Sequence, residues 1–84
     1  MDLEWKREGQ YLDTEVTVLG PGMKLSVWYE GLSKLADGEP RYNVSVFGNR
    51  LKTRSIDKVA GQQRAEAVAK KWLAEALAKF GDAQ

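Results

Sequence analysis

The side chains available for chemistry in this chain are carboxylates, bases, hydroxyls and aromatics, because its 84 residues include no histidine and no cysteine. Without histidine there is no Ser-His-Asp or Cys-His catalysis, no imidazole acid–base work and no standard zinc site. Without cysteine there is no thiolate nucleophile and no disulfide. Neither GxxxxGK[ST] nor GxGxxG occurs, and Gly20-Pro21-Gly22 separates two strand-like runs, so it lacks the helix N-terminus that a phosphate cradle needs. The expectation is a non-enzymatic protein with no cofactor and no small-molecule site. Asp13 and Glu15 point the same way on one strand and could offer oxygens to a hard cation. Two carboxylates make a poor calcium or magnesium site, and a solvated strand face is the preferred reading. Asn43-Val44-Ser45 matches the N-glycosylation pattern, but inside a strand and without a secretory signal it reads as chance.

Bases interleaved with aromatics form the more suggestive constellation. Lys24, Ser26 and Trp28 alternate along one run, Arg41, Asn43, Ser45 and Phe47 along another, with Lys52 and Arg54 beyond. If these runs are neighbouring strands, the residues share one outward sheet face. There, cations would meet phosphate, aromatics would stack on bases, and Asn43 or Arg41 would read base edges. An aromatic-bearing open face equally suits a protein partner or a second copy of the chain. Glu30, Asp13 and Glu15, placed on the same face, count against a polyanion. The protein interface is therefore favoured, and a nucleic-acid-binding module using Lys24, Trp28, Arg41, Asn43, Lys52 and Arg54 is the alternative.

The elements that must position these residues follow from periodicity. Tyr11 to Leu19 alternates as a half-buried strand, with Leu12, Thr14, Val16 and Val18 on its core side. Gly20-Pro21-Gly22 forces a turn, and Met23 to Glu30 alternates again, placing Met23, Leu25, Val27 and Tyr29 inward. Gly31 to Pro40 is a loop with Asp37-Gly38 as its turn signal. Arg41 to Phe47 is the next strand, Gly48-Asn49 a hairpin turn with glycine first, and Arg50 to Ser55 a short edge strand guarded by Lys52 and Arg54. Glu4 to Gln10 adds a short strand, and Trp5 and Tyr11 are candidates to cover the outer face.

The last element is a long amphipathic helix. Ala65, Val68, Ala69, Trp72, Leu73, Ala76, Leu77 and Phe80 recur at three- and four-residue spacing, with Arg64, Glu66, Lys70, Lys71, Glu75 and Lys79 on or near the other side. The start falls between Asp57 and Gln62, and Gly81 is the expected stop. Its apolar stripe is expected to pack on Val16, Val18, Leu25, Val27, Val44 and Val46, with Trp72 and Phe80 as the large core pieces. On that packing, Leu73→Ala or Leu77→Ala would cost about 2–5 kcal/mol. The fold class is thus α+β: an antiparallel sheet of three to five strands with one C-terminal helix across one face. Residues 1–84 form a single domain, with 1–56 the sheet region and 57–81 the helix.

The net charge of +1 hides an asymmetry: residues 1–40 carry eight acids and four bases, residues 41–84 four acids and nine bases. Such halves face a polyanion, attract each other, or attract a second copy. The charged N-terminus has no apolar run behind it and no membrane span can be drawn, so a cytoplasmic location is expected.

Strands followed by a C-terminal helix is an element order similar to that of small sheet-reading DNA-binding domains of the integrase-arm type. It is also similar to the second half of double-stranded-RNA-binding domains. The latter family has an N-terminal helix and a Lys-Lys-x-Ala run opening its last helix. This chain has no such N-terminal helix and shows Gly61-Gln62-Gln63-Arg64-Ala65 where that run would stand, so no site residue is carried over.

Overall fold

The strands form one five-stranded antiparallel sheet whose spatial order is its sequence order, with a single helix laid across one face. The computed structural model describes residues 3–9, 13–31 and 38–82. The elements are β1 (Lys6–Arg7), β2 (Glu15–Val18), β3 (Lys24–Tyr29), β4 (Tyr42–Val46), β5 (Asn49–Arg50) and α1 (Lys58–Asp82). Tyr11, Leu12 and Asp37, each given a place above, lie outside the described residues.

The β2–β3 connection decides which side of β2 is dry. The Met23 amide donates to the Gly20 carbonyl at 2.9 Å, with Pro21 first and Gly22 (φ 74°) second at the centre of the turn. That is a type II turn, whose second central position needs glycine. The Leu19 amide donates to the Met23 carbonyl, so residues 20–22 are the whole connection and strand partners share parity: Thr17 faces Leu25 and Glu15 faces Val27. The helix-facing side of β2 therefore carries Glu15 and Thr17. Val16 and Val18 lie on the opposite face, correcting their assignment to the core: Val18 is 64% exposed and Thr17 only 6%.

The β4–β5 turn shifts one residue from its expected place. Val46 pairs with Asn49, which leaves Phe47-Gly48 as the loop, with φ of 53° and 83°. Two positive φ values define a type I′ turn, which matches strand twist. The left-handed backbone at Phe47 takes its ring out of the alternation of β4, and it packs on Trp72 on the helix side, ring centroids 6.1 Å apart. Beyond β5 the ladder breaks. The Leu51 amide bonds to Val44 and Ser55 pairs with Tyr42, so Lys52-Thr53-Arg54 bulges out against Asn43 alone. Arg64 Nη1 fastens the bulge by donating to the Thr53 carbonyl at 2.6 Å.

Helix α1 starts at Lys58 because Asp57 caps it, its Oδ1 accepting the Ala60 amide at 2.8 Å. Gly61, which lowers helix propensity, is explained by packing. A Cβ there would stand 2.9 Å from Val27 Cγ1 and 3.4 Å from Val44 Cγ2. Gly61, Ala65 and Ala69 thus bring the helix backbone close onto Leu25, Val27, Val44 and Val46, all fully buried. The helix runs through Gly81 to Asp82 rather than stopping at Gly81.

The second half of the stripe is not core. Trp72 is half-buried against Phe47, but Leu77 is 70% and Phe80 77% exposed, and residues 74–81 are all exposed. A 25-residue helix is about 37 Å long, more than strands of at most six residues can cover. The molecule is accordingly drawn out to 51 × 23 × 21 Å.

Two substitutions test this packing by urea denaturation. Gly61→Ala gains about 1 kcal/mol of helix propensity yet forces Val27 aside, and a net loss of about 1–2 kcal/mol is expected. Leu77→Ala is expected to leave stability within about 0.5 kcal/mol of wild type, well short of the cost of a buried leucine.

Candidate functional site

The open face of the sheet, opposite α1, is built by the alternation just described. One cross-strand row runs Lys6, Val16, Ser26, Ser45 and Arg50 over all five strands. Beside it Val18 pairs with Lys24 in one direction, and Trp28 pairs with Asn43 in the other. Val16 and Trp28 are half-buried and Val18 exposed, giving this face an apolar strip with hydroxyls between.

The structure brings together most of the residues singled out from the sequence, but in changed roles. Lys24 lies on this face and is ion-paired with Glu8 Oε1 at 3.0 Å. Asn43 is only 4% exposed, and its Nδ2 donates to Glu30 Oε2 at 3.3 Å. Arg54 Nη2 reaches the same Glu30 oxygen at 3.6 Å, while its Nε is buried without a hydrogen-bond partner. Arg41, half-buried just before β4, supplies the carbonyl that accepts the Glu30 amide. Lys52 is exposed on the bulge and lines a cleft of about 280 Å³ with Glu39, Pro40, Asn43, Arg50, Leu51, Thr53 and Arg54. Phe47 leaves the set, since it packs against Trp72 on the other side of the sheet. Val16, Val18, Lys6 and Glu8 enter it; the odd-length turn that places the valines there was the signal to read.

The N-terminal segment does not cover this face with Trp5. As the edge strand β1 it runs beside β2, and Trp5 goes to the helix side, where its indole Nε1 donates to Glu66 Oε2 at 2.8 Å.

Asp13 and Glu15 are neither a solvated pair nor a cation site. Both receive Lys58 Nζ, Asp13 at 3.0 and 3.2 Å and Glu15 at 2.8 Å, and the Tyr42 hydroxyl donates to Asp13 Oδ2 at 3.2 Å. Among the described residues no group of three or more acidic side chains gathers to hold a metal. Lys58 sits in the first turn of α1, which carries no acidic residue of its own. A cation at that positive helix end is unfavourable, and the two carboxylates offset it. Together with Arg54–Glu30, these contacts join bases of the second half of the chain to acids of the first. The charge asymmetry is in this measure spent internally.

The hydrogen bonds from Lys58 hold the Asp13 carboxyl below its ordinary value of 3.8 against the opposing effect of burial. The Glu15 and Asp13 hydrogen bonds hold the Lys58 ammonium above its own. Burial and then Asp13 push the Tyr42 hydroxyl up. A carboxyl whose folded pKa is depressed contributes stability in full above its unfolded value and loses it as pH falls through the folded one. For Lys58 the contribution is complete below its unfolded value and lost as pH rises through the folded one. At neutral pH both are present. With these side chains about a third exposed, solvent screening limits the effect. Lys58→Met is expected to cost about 1 kcal/mol at neutral pH. In urea titrations from pH 7 downward, that gap should close as pH falls below the ordinary carboxylate range. A constant gap would mean that Lys58 stabilises through packing alone.

No helix among the described residues is long and apolar enough to cross a membrane. No protein-family model, no curated protein and no solved structure matches this chain, so its own surface chemistry carries the functional reading.

Proposed function

We propose that this chain is a non-catalytic binding domain whose open sheet face docks a protein partner. The observation that carries the reading is the apolar, aromatic-bearing centre of that face, beside which two of its cations already carry carboxylate partners. Lys24 is matched by Glu8 and Arg54 by Glu30, Val16, Val18 and Trp28 share the same face, and the exposed Lys6, Arg50 and Lys52 stand on the outer strands and the bulge. An apolar, aromatic-bearing centre with a polar rim is the anatomy of a protein interface. A phosphate-binding surface needs cations free to replace counterions, and carboxylates beside them work against it.

The test uses the chain as immobilised bait beside Val18→Asp, a substitution at a 64% exposed position that leaves the core intact. A protein retained by wild type and lost with Val18→Asp is the expected result. The same chain is titrated with duplex DNA and RNA in salt from about 50 to about 200 mM. Oligonucleotide binding that weakens steeply over that range, with NMR shifts at Lys24, Lys52 and Arg54, would replace this reading by the nucleic-acid one. Equal retention by both baits would remove the sheet face from consideration.

A further inference from the structure

The cleft of about 280 Å³ beside the bulge joins the sheet to the residues that leave it. Asn43 and Arg50 come from β4 and β5, while Lys52, Thr53 and Arg54 belong to the segment where the ladder breaks. Asn43 pairs with Trp28, and Arg50 ends the cross-strand row that passes through Val16, Ser26 and Ser45. The cleft therefore continues the open face on its β5 side. Its three bases are loosely held. Arg50 and Lys52 are exposed, and neither is ion-paired among the described residues. The Glu30 oxygen that Arg54 faces lies at 3.6 Å, longer than a hydrogen bond. That oxygen already accepts from Asn43 Nδ2, and Arg54 Nε is buried with no acceptor. A buried donor left unmade is costly, so this guanidinium gains from an acceptor that lets it turn toward the cleft. The acids beside the three bases are Glu30, at Arg54, and Glu39, which is exposed on the cleft wall and ion-paired with none of them. One positive charge is left in excess.

We propose that this cleft receives one carboxylate of an acidic segment of the protein partner, with Arg54 as its bidentate donor and Arg50 and Lys52 as flanking charges. The proposal rests on the open face being a protein-docking surface, and it says what the partner must carry at the β5 side. Charge complementarity names the occupant. The excess of one charge matches a carboxylate, whereas a phosphate ester would set a charge of about −1.5 to −2 beside Glu30 and Glu39. The cleft is at the small end of pockets that enclose whole ligands, and it suits one side chain. A guanidinium fork fits a carboxylate through two parallel N–H donors, which would give the orphaned Nε an acceptor. The spacing also constrains the partner. Neighbouring strands lie about 4.8 Å apart, so Arg50 on β5 stands about 10 Å across the sheet from the strand of Trp28. An extended segment crossing the strands covers that distance in about three residues. The partner's acid is thus placed about three positions from the apolar residue that covers Trp28.

The probe is an acetylated, amidated tetrapeptide with leucine first, two serines and glutamate last. It is titrated into the full chain by NMR, where arginine Nε–H groups give signals of their own. Shifts of Arg50, Lys52 and the Arg54 Nε–H, together with Trp28, are the expected result. A peptide with glutamine in place of glutamate should bind about tenfold more weakly. Arg54→Lys keeps the charge but loses the fork, and should weaken binding by at least about threefold. Lys52→Gln, at an exposed position, should weaken it with an unchanged urea midpoint, which separates loss of the site from loss of the fold. Equal affinity for the two peptides, or binding indifferent to both substitutions, would overturn the proposal. Shifts at Trp28 without shifts in the cleft would also overturn it, while leaving the docking face in place. Shifts in the cleft alone would keep the carboxylate site and remove the rest of the face from partner binding. Inorganic phosphate moving the cleft signals at lower concentration than the glutamate peptide would replace the carboxylate by a phosphate ligand.

Discussion

The fold rests on how closely α1 approaches the sheet. Gly61, Ala65 and Ala69 present almost no side chain, and the four aliphatic residues of β3 and β4 fill the space beneath them. That contact is tight but narrow. It leaves no room under the helix for large side chains, which go to its flanks: Leu3 and Trp5 on β1's side, and Phe47, Leu51, Val68 and Trp72 around it. A small domain with so slim a central core depends on these flanking pieces, and they explain why strands as short as β1 and β5 are held at all.

The second organising force is electrostatic and sits at the N-terminal end of the helix. Lys58 would be unfavourably placed in an isolated helix, yet here its ammonium bridges Asp13 and Glu15, and the Tyr42 hydroxyl donates to Asp13. The tertiary fold thus adds two carboxylates to the one that Asp57 brings to the cap. The partner of Glu30 comes from as far along the chain, since Arg54 lies in the bulge after β5. Acids of the first half and bases of the second are tied together near the β3–β4 pair.

Much of this architecture was legible in the residues. Alternation identified the sheet strands, glycine and proline punctuated them, and the three- and four-residue apolar spacing marked the helix. Faces were harder, because alternation divides a strand into two sides without saying which is dry. For β2 the answer lay in whether the connection held an odd or even number of residues, and an odd one exchanged Val16 and Val18 for Thr17. For Phe47 it lay in a one-residue shift of a turn that admits positive φ at a bulky residue. For Leu77 and Phe80 the helical period was read correctly, but periodicity does not report where the sheet ends. The outward placement accordingly holds for Lys24, Trp28 and Asn43 and fails for Phe47. The ion pairs of Lys24 and Arg54 depend on contacts between distant residues that no local pattern encodes.

The edges of the sheet carry a consequence of their own. Both outer strands, β1 and β5, span two residues each, and the chain past β5 swings out of plane through Lys52-Thr53-Arg54 before touching Tyr42 again. An incoming chain would find too few unpaired amides and carbonyls in line to add itself as a sixth strand, and would meet a charged bulge on one side. Among the described residues, the edges therefore disfavour growth by strand addition, the route by which small sheets turn into fibrils. Among the described residues the sheet thus offers its faces rather than its edges.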